Sequence, residues 1–274
     1  MQKKLGGAVN RLLKPAGLRV QRVGAEGVSQ SQFDFLWQKY RATVQELYGC
    51  ITERVLVDLP PVEGRLDLLA RLIGTDVSEG LWVLDALHHA LPLDGDVCEF
   101  GVAQGATSAL LANEIRATDK ALWLFDSFQG LPRPHEKDRL INDIFNLGSM
   151  EAYRGQMNFS DDLVRERLAG VGFPSERAHI VAGFIEDTIH TSSLPERVCF
   201  AYIDFDFYMP ILTALNFLAS RLPVGGRVVV DDYGYFSAGV QTAVEEFMAA
   251  HPDAYALELP PDWAGHFATL IRQQ

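Results

Sequence analysis

Hydrophobic positions along the 274-residue chain follow two different periods, and the change between them divides the sequence. From Phe33 to about Ala90 apolar residues recur at helical spacing. Phe33, Phe35, Leu36, Trp37, Tyr40, Val44 and Leu47 predict one helix, Leu66, Leu69, Leu72 and Ile73 a second, and Leu81 to Leu91 a third. Pro60-Pro61 separates the first two. This region, residues 25–90, reads as a helical cap whose aromatic stripe is buried against the main domain. From Asp94 onward, short apolar runs alternate with helical segments. Strands are predicted at 96–100, 121–125, 178–181, 198–203 and 227–230, with helices at 106–116, 161–168, 210–222 and 238–250. Two further strands, 255–259 and 267–271, close the chain with no helix between them. Apolar strands alternating with helices imply a largely parallel sheet covered on both faces. The closing pair implies a hairpin that places one antiparallel strand at the edge. The expected fold is therefore α/β and Rossmann-like over residues 91–274, with seven strands. Residues 128–160 carry few periodic signals and follow a strand end, so they are expected to form a lid over the site.

Charge refines this picture. The formal net charge is −12, which argues against nucleic acid as a partner. Residues 1–24 are the exception, with Lys3, Lys4, Arg11, Lys14, Arg19 and Arg22 and no acid before Glu26. Leu5, Val9, Leu12 and Leu13 share a helical face there, so this basic arm is either a solvated terminus or a weak contact to an anionic membrane surface. The three cysteines form no CxxC pair, and a reducing cytoplasm is expected. No apolar run is long enough to cross a bilayer.

Two clusters carry candidate chemistry. Asp96 to Ser108 reads as strand, glycine turn and helix, with Gly101 permitting a sharp turn and Gly105 opening the helix. Asp126 follows 21 residues after Gly105 at the next strand end, where a carboxylate can accept hydrogen bonds from ribose hydroxyls. The dehydrogenase pattern G-x-G-x-x-G is absent, because Ala103 stands where pyrophosphate needs glycine. Glu99 at the strand end suits a ligand bearing an ammonium and a sulfonium better than one bearing phosphates. S-adenosylmethionine is thus favoured over a nicotinamide dinucleotide. A nicotinamide oxidoreductase and a non-catalytic S-adenosylmethionine-binding protein stand as the alternatives. Gly183 and Phe184, after the 178–181 strand, could bring backbone and an aromatic face to adenine.

The second cluster is Asp204 and Asp206 at one strand end with Asp231 and Asp232 at the next. Neighbouring parallel strands would deliver all four carboxylates to the sheet edge where such folds bind ligands. Crowded carboxylates repel, so a cation or shared protons must offset them. Oxygen ligands favour Mg²⁺ or another hard divalent cation. His135, in the 128–160 insert, is a possible second base, and His88-His89 read as helix surface.

Taken together, Glu99-Phe-Gly-Val-Ala-Gln-Gly105, Phe125-Asp-Ser-Phe-Gln-Gly-Leu-Pro132, Gly183-Phe-Ile-Glu-Asp-Thr188, Ile203-Asp-Phe-Asp-Phe-Tyr208 and Gly225-Gly-Arg-Val-Val-Val-Asp-Asp-Tyr233 resemble the macrocin O-methyltransferase family from about Leu81 to the C-terminus. The resemblance implies a class I methyltransferase fold and methylation of a hydroxyl on a sugar-bearing small molecule or glycan. It implies that Glu99, Gly101, Asp126 and Ser127 hold the cofactor, with Gly105 and Ser108 in the same turn and helix. Asp204, Asp231 and Asp232 look like metal ligands and Asp206 like the general base. A homo-oligomer is expected. The sequence departs from the family at Phe205, where Asp-Gly-Asp is usual, and in the 132–160 insert, so the acceptor does not transfer with the fold.

Overall fold

The computed structural model describes residues 29–190 and 193–274. The basic arm, and with it the expected membrane contact, lies outside the described residues. Three helices come first: α1 (Gln30–Arg54), α2 (Arg65–Leu69) and α3 (Val77–Ala90). The alternating part follows as β1 (Asp96–Phe100), α4 (Ala106–Ile115), β2 (Leu122–Asp126), α5 (Asp161–Gly170), β3 (Ala178–Ala182), a single turn α6 (Ile185–Thr188), β4 (Val198–Ile203), α7 (Tyr208–Ala219), β5 (Arg227–Val230), α8 (Ala238–Ala250), β6 (Tyr255–Glu258) and β7 (Ala268–Arg272). Every strand expected from the apolar runs is present within a residue or so of its predicted ends. The turn α6, too short to show a period, was not expected.

The sheet order is β3-β2-β1-β4-β5-β7-β6. β1 to β5 are mutually parallel, and β7 is antiparallel to both of its neighbours. The single antiparallel strand is therefore not at the edge, as the closing hairpin suggested. β7 inserts between β5 and β6, and β6 takes the edge. Its pattern explains the choice: Ala268, Thr269 and Leu270 are buried, whereas Leu257 and Glu258 of β6 are exposed. The more apolar strand gains more by being covered on both sides.

One sheet face packs on α3 and α4, with Phe200, Tyr202 and Val229 facing Leu81, Leu84, Leu87 and Leu111 in one continuous core. The other face packs on α7 and α8, through Ala201, Ile203, Val228 and Val230. The strand period of two divides each strand between these cores. Helix α3 is thus a layer of the main domain rather than part of a separate cap. Its core also takes in Val44 and Ile51 of α1, so packing shows no boundary near residue 90.

The aromatic stripe of α1 is the clearest departure. Val44 and Ile51 are buried, but Phe33, Phe35, Leu36, Tyr40 and Leu47 are exposed. Of the stripe only Val44 meets the core, joined by Ile51 further along the helix. A buried ion pair ties this region down. Arg65, fully buried in α2, donates from Nε to Glu114 Oε1 of α4 at 2.8 Å, and Glu114 also meets His88 Nε2 at 2.6 Å. His88, expected on a helix surface, is a partner in that network.

The insert at 128–160 is a built structure. Met150 and Tyr153 form a small core with Phe207 and Phe236. Asp138, buried, accepts from the backbone N–H groups of His135 and Tyr208 and from Ser237 Oγ, all at 2.8–2.9 Å. One insert carboxylate thereby anchors the starts of both α7 and α8.

Candidate active site

The site begins where the strands end together. The last register pairs are Phe100 with Phe125 and Ile203, and Ile203 with Val230. One step further come Gly101, Asp126, Asp204 and Asp231, at one level of the carboxyl edge. Backbone bonds continue the ladder there, from Asp204 N to Phe100 O at 2.7 Å and from Asp231 N to Ile203 O at 2.9 Å. A cavity of about 340 Å³ opens at this edge. Gly101, Asp126, Ser127, Gly183, Phe184, Asp204, Asp206, Asp231 and Asp232 all line it.

Asp126 shapes the glycine turn. Its Oδ2 accepts from the N–H groups of Val102 and Ala103, both at 2.8 Å, and its Oδ1 from that of Phe128 at 2.7 Å. Burial raises its pKa while these donors oppose the rise. Oδ2 thus accepts two hydrogen bonds and Oδ1 one, which leaves a lone pair on Oδ1 for a ribose hydroxyl. Ser127 Oγ donates to Gly130 O at 2.9 Å and so starts the turn into the insert.

Three expected cofactor residues stand elsewhere. Glu99, Gly105 and Ser108 do not line the cavity. Glu99 is 1% exposed and accepts from the Ser108 hydroxyl, which is itself fully buried. Burial pushes the Glu99 carboxyl up to about 8, against the pull of Ser108. Gly105, at φ +75°, faces Val164 of α5, whose atoms a Cβ would meet at 3.2 Å. These residues support the turn from behind. The reason is register: Glu99 sits one residue short of the strand end, with Phe100 still paired on both sides. His135 stacks on Tyr208 at 4.9 Å between ring centres and is also absent from the cavity wall.

The aspartates converge, in a different grouping from the expected one. Asp204, Asp206 and Asp232 each offer an oxygen within 4.8 Å of the others'. Asp231, expected with Asp204 and Asp232, stands outside that trio but lines the same cavity: its Oδ1 accepts from Asp232 N at 2.7 Å and its Oδ2 from Tyr202 Oη at 2.9 Å. Asp206 and Asp232 hold left-handed backbone, at φ +63° and +56°, a cost found mostly where a side chain must be aimed. Burial, then mutual repulsion, lifts Asp204, Asp206 and Asp232 well above the usual carboxylate range. A cation held among them would offset that repulsion. The donor set fits a hard divalent ion, being oxygen-only and clustered on the scale of one coordination sphere. Phe205 lines the same cavity, with its ring centre 6.0 Å from that of Phe100.

Other parts of the wall were not legible in the sequence. Ile144 and Phe145 of the insert, Phe159 and Tyr235 line the cavity, as do Ile73 and Gly74 from the loop after α2. Glu79 of α3 was also missed. It is 6% exposed, and its Oε1 lies 3.3 Å from Tyr202 Oη, whose one proton goes to the nearer Asp231. Burial and the neighbouring aspartates raise its pKa well above the carboxylate range. A lone glutamate in an amphipathic helix gives no sign of such a position.

A sheet of this order, with a glycine turn after β1 and an acid closing β2, defines a class I S-adenosylmethionine-dependent methyltransferase. The family model described as Macrocin-O-methyltransferase (TylF) matches residues 84–260, and the chain belongs to that family of O-methyltransferases. The chain is 26% identical over 213 residues to the 8-demethyl-8-(2,3-dimethoxy-alpha-L-rhamnosyl)-tetracenomycin-C 4'-O-methyltransferase of Streptomyces olivaceus, covering 69% of this chain and 80% of that one. It is 29% identical to the mycinamicin III 3''-O-methyltransferase of Micromonospora griseorubida, covering 62% of this chain and 65% of that enzyme, just under two thirds of its length. Among solved structures, the O-methyltransferase NovP superposes with a TM-score of 0.61 at 22% identity, over 73% of this chain and 81% of that one, a likeness of fold. The nicotinamide alternative is set aside by this membership.

Proposed function

We propose that the protein transfers the methyl group of S-adenosylmethionine to a hydroxyl of a sugar-bearing acceptor, with a hard divalent cation, Mg²⁺ or similar, at the aspartate cluster. The observation that carries the reading is the convergence of Asp204, Asp206 and Asp232 in the same cavity as Asp126, Gly183 and Phe184. The named acceptors of the tetracenomycin and mycinamicin relatives support a glycosylated acceptor, of which a surface polysaccharide is another form. The lining supports an uncharged one: among the described residues it presents six carboxyl groups and no basic side chain. A phosphate-bearing sugar would meet repulsion from every side.

Asp126 and Ser127 hold the nucleoside end of the cofactor, with Phe184 against its base. Asp204 and Asp232, with Asp231 alongside, would hold the cation, which would supply Lewis-acid polarisation of the acceptor hydroxyl. Asp206 accepts the hydroxyl proton. The acceptor oxygen then attacks the methyl carbon as the carbon–sulfur bond breaks, and the enzyme contributes mainly by holding the two in line. Aromatic groups at the insert side, Phe145 and Tyr235, pack on the apolar face of the sugar or its carrier and keep water out. Self-association and a cytoplasmic location belong to the same proposal; no helix among the described residues is long and apolar enough to cross a membrane.

The test is transfer of isotopically labelled methyl to a panel of neutral glycosides. Activity should vanish with EDTA, return with Mg²⁺, and fall at least a hundredfold in Asp204→Asn. Full activity of Asp204→Asn in EDTA would overturn the cation's role.

A further inference from the structure

Tyr202 joins helix α3 to the aspartate cluster, its hydroxyl meeting both Glu79 and Asp231, and neither it nor Glu79 lines the cavity. Both are products of the fold rather than of the motif. The strand period turns Phe200 and Tyr202 of β4 toward α3, and Glu79, in the first turn of α3, reaches the tyrosine hydroxyl. Tyr202 is fully buried, so its hydroxyl has no water to bond. That hydroxyl lies 2.9 Å from Asp231 Oδ2 and 3.3 Å from Glu79 Oε1. Asp231 Oδ1 is bound in turn by the N–H of Asp232 at 2.7 Å. Each oxygen of Asp231 thus accepts one hydrogen bond from protein and keeps lone-pair capacity on its open side. Gly265 backs the arrangement: a Cβ there would meet Glu79 Cβ at 3.2 Å, so the chain before β7 closes directly on Glu79.

We propose that Tyr202 and Glu79 are positioning residues that aim the Asp231 carboxylate at the cation, Tyr202 by direct donation and Glu79 by holding the tyrosine hydroxyl. This rests on the cation reading above and extends it to two residues that touch neither cofactor nor acceptor. A carboxylate ligand gains affinity when its rotamer is fixed in advance, and loss of such an outer partner typically costs about 10–100-fold in metal affinity. Glu79 also couples the site to α3, so the cluster is braced from both the sheet and the helix layer.

The experiment is titration of the purified full chain with Mn²⁺, followed by electron paramagnetic resonance of the free ion, with S-adenosylmethionine affinity measured calorimetrically on the same samples. Tyr202→Phe removes one oxygen and keeps the ring. It should weaken Mn²⁺ about 10–100-fold and leave the cofactor affinity within about twofold, by the same outer-partner argument. Glu79→Gln keeps a hydrogen-bonding group at Tyr202 and should bind within a few-fold of the parent, whereas Glu79→Ala should fall toward Tyr202→Phe. Unchanged Mn²⁺ affinity in Tyr202→Phe and Glu79→Ala would overturn the proposal. So would an equal loss of Mn²⁺ and cofactor binding with a lowered melting temperature, which marks a purely structural role. A parent chain that binds cofactor but no Mn²⁺ would overturn the cation reading itself, a result distinct from either.

Discussion

Gly101→Ala tests whether the meeting of β1 and β4 positions the chemistry. Gly101 sits at φ +89°, and a Cβ there would lie 1.9 Å from the carbonyl oxygen of Asp204. Real Cβ contacts do not fall below 3.0 Å, so the two strand ends must part by about 1 Å or the turn must refold. Either path carries Asp204 out of register with Asp232 and pulls the Val102 and Ala103 N–H groups from Asp126. The left-handed conformation costs an alanine about 1–2 kcal/mol, and overpacking adds about 1–3 kcal/mol. A displacement of about 1 Å at reacting groups can cost on the order of 100-fold in rate. We therefore expect a loss of about 2–5 kcal/mol in urea denaturation by these terms, and at least a hundredfold loss of methyl transfer. Gly105→Ala is the internal control. It shares a positive φ, but its Cβ meets Val164 at 3.2 Å, so that neighbour need give by only a few tenths of an ångström. It should lose about 1–2 kcal/mol from conformation and retain most activity. If Gly101→Ala unfolds and turns over like Gly105→Ala, the close approach of β1 to β4 is not what positions Asp204.

The other expectations concern supporting groups. Arg65→Met leaves Glu114 buried without its guanidinium and should cost about 3–5 kcal/mol in denaturation, while Arg65→Met with Glu114→Leu should recover most of it; equal losses in both would refute a pairing role. Glu99, raised to about 8, contributes stability that is complete below its unfolded pKa near 4.3 and is lost as pH rises through about 8. The cofactor-free protein should therefore lose melting temperature from pH 6 to 9 more steeply than Glu99→Gln, and parallel curves would refute the shift. Asp138→Ala orphans three donors at the insert, each worth about 1–3 kcal/mol when buried. Limited proteolysis should then cut within 132–160 and KM for the acceptor should rise, with cofactor affinity little changed.

The sequence by itself determined the strands, their order of succession and the two chemical clusters. Continuous apolar runs such as Val198–Ile203 have one low-energy fate, a strand buried on both faces, and residues just past such a run reach the carboxyl edge. That is why Asp126, Asp204, Asp206, Asp231 and Asp232 all line one cavity, as their positions suggested. Tertiary structure decided which of these acids face one another. Asp206 and Asp232 occupy left-handed backbone that no strand period foretells, and Asp231 is held by a tyrosine one strand away. It also decided that Glu99 and Ser108 face each other behind the turn rather than the ligand. The same holds for α1, whose stripe is uniform in sequence but mostly exposed, because burial depends on where the domain surface ends and not on the helix. Local pattern encodes which faces are apolar. The partner of each face, and the aim of each polar side chain beyond a strand end, follow from packing between segments distant in the chain.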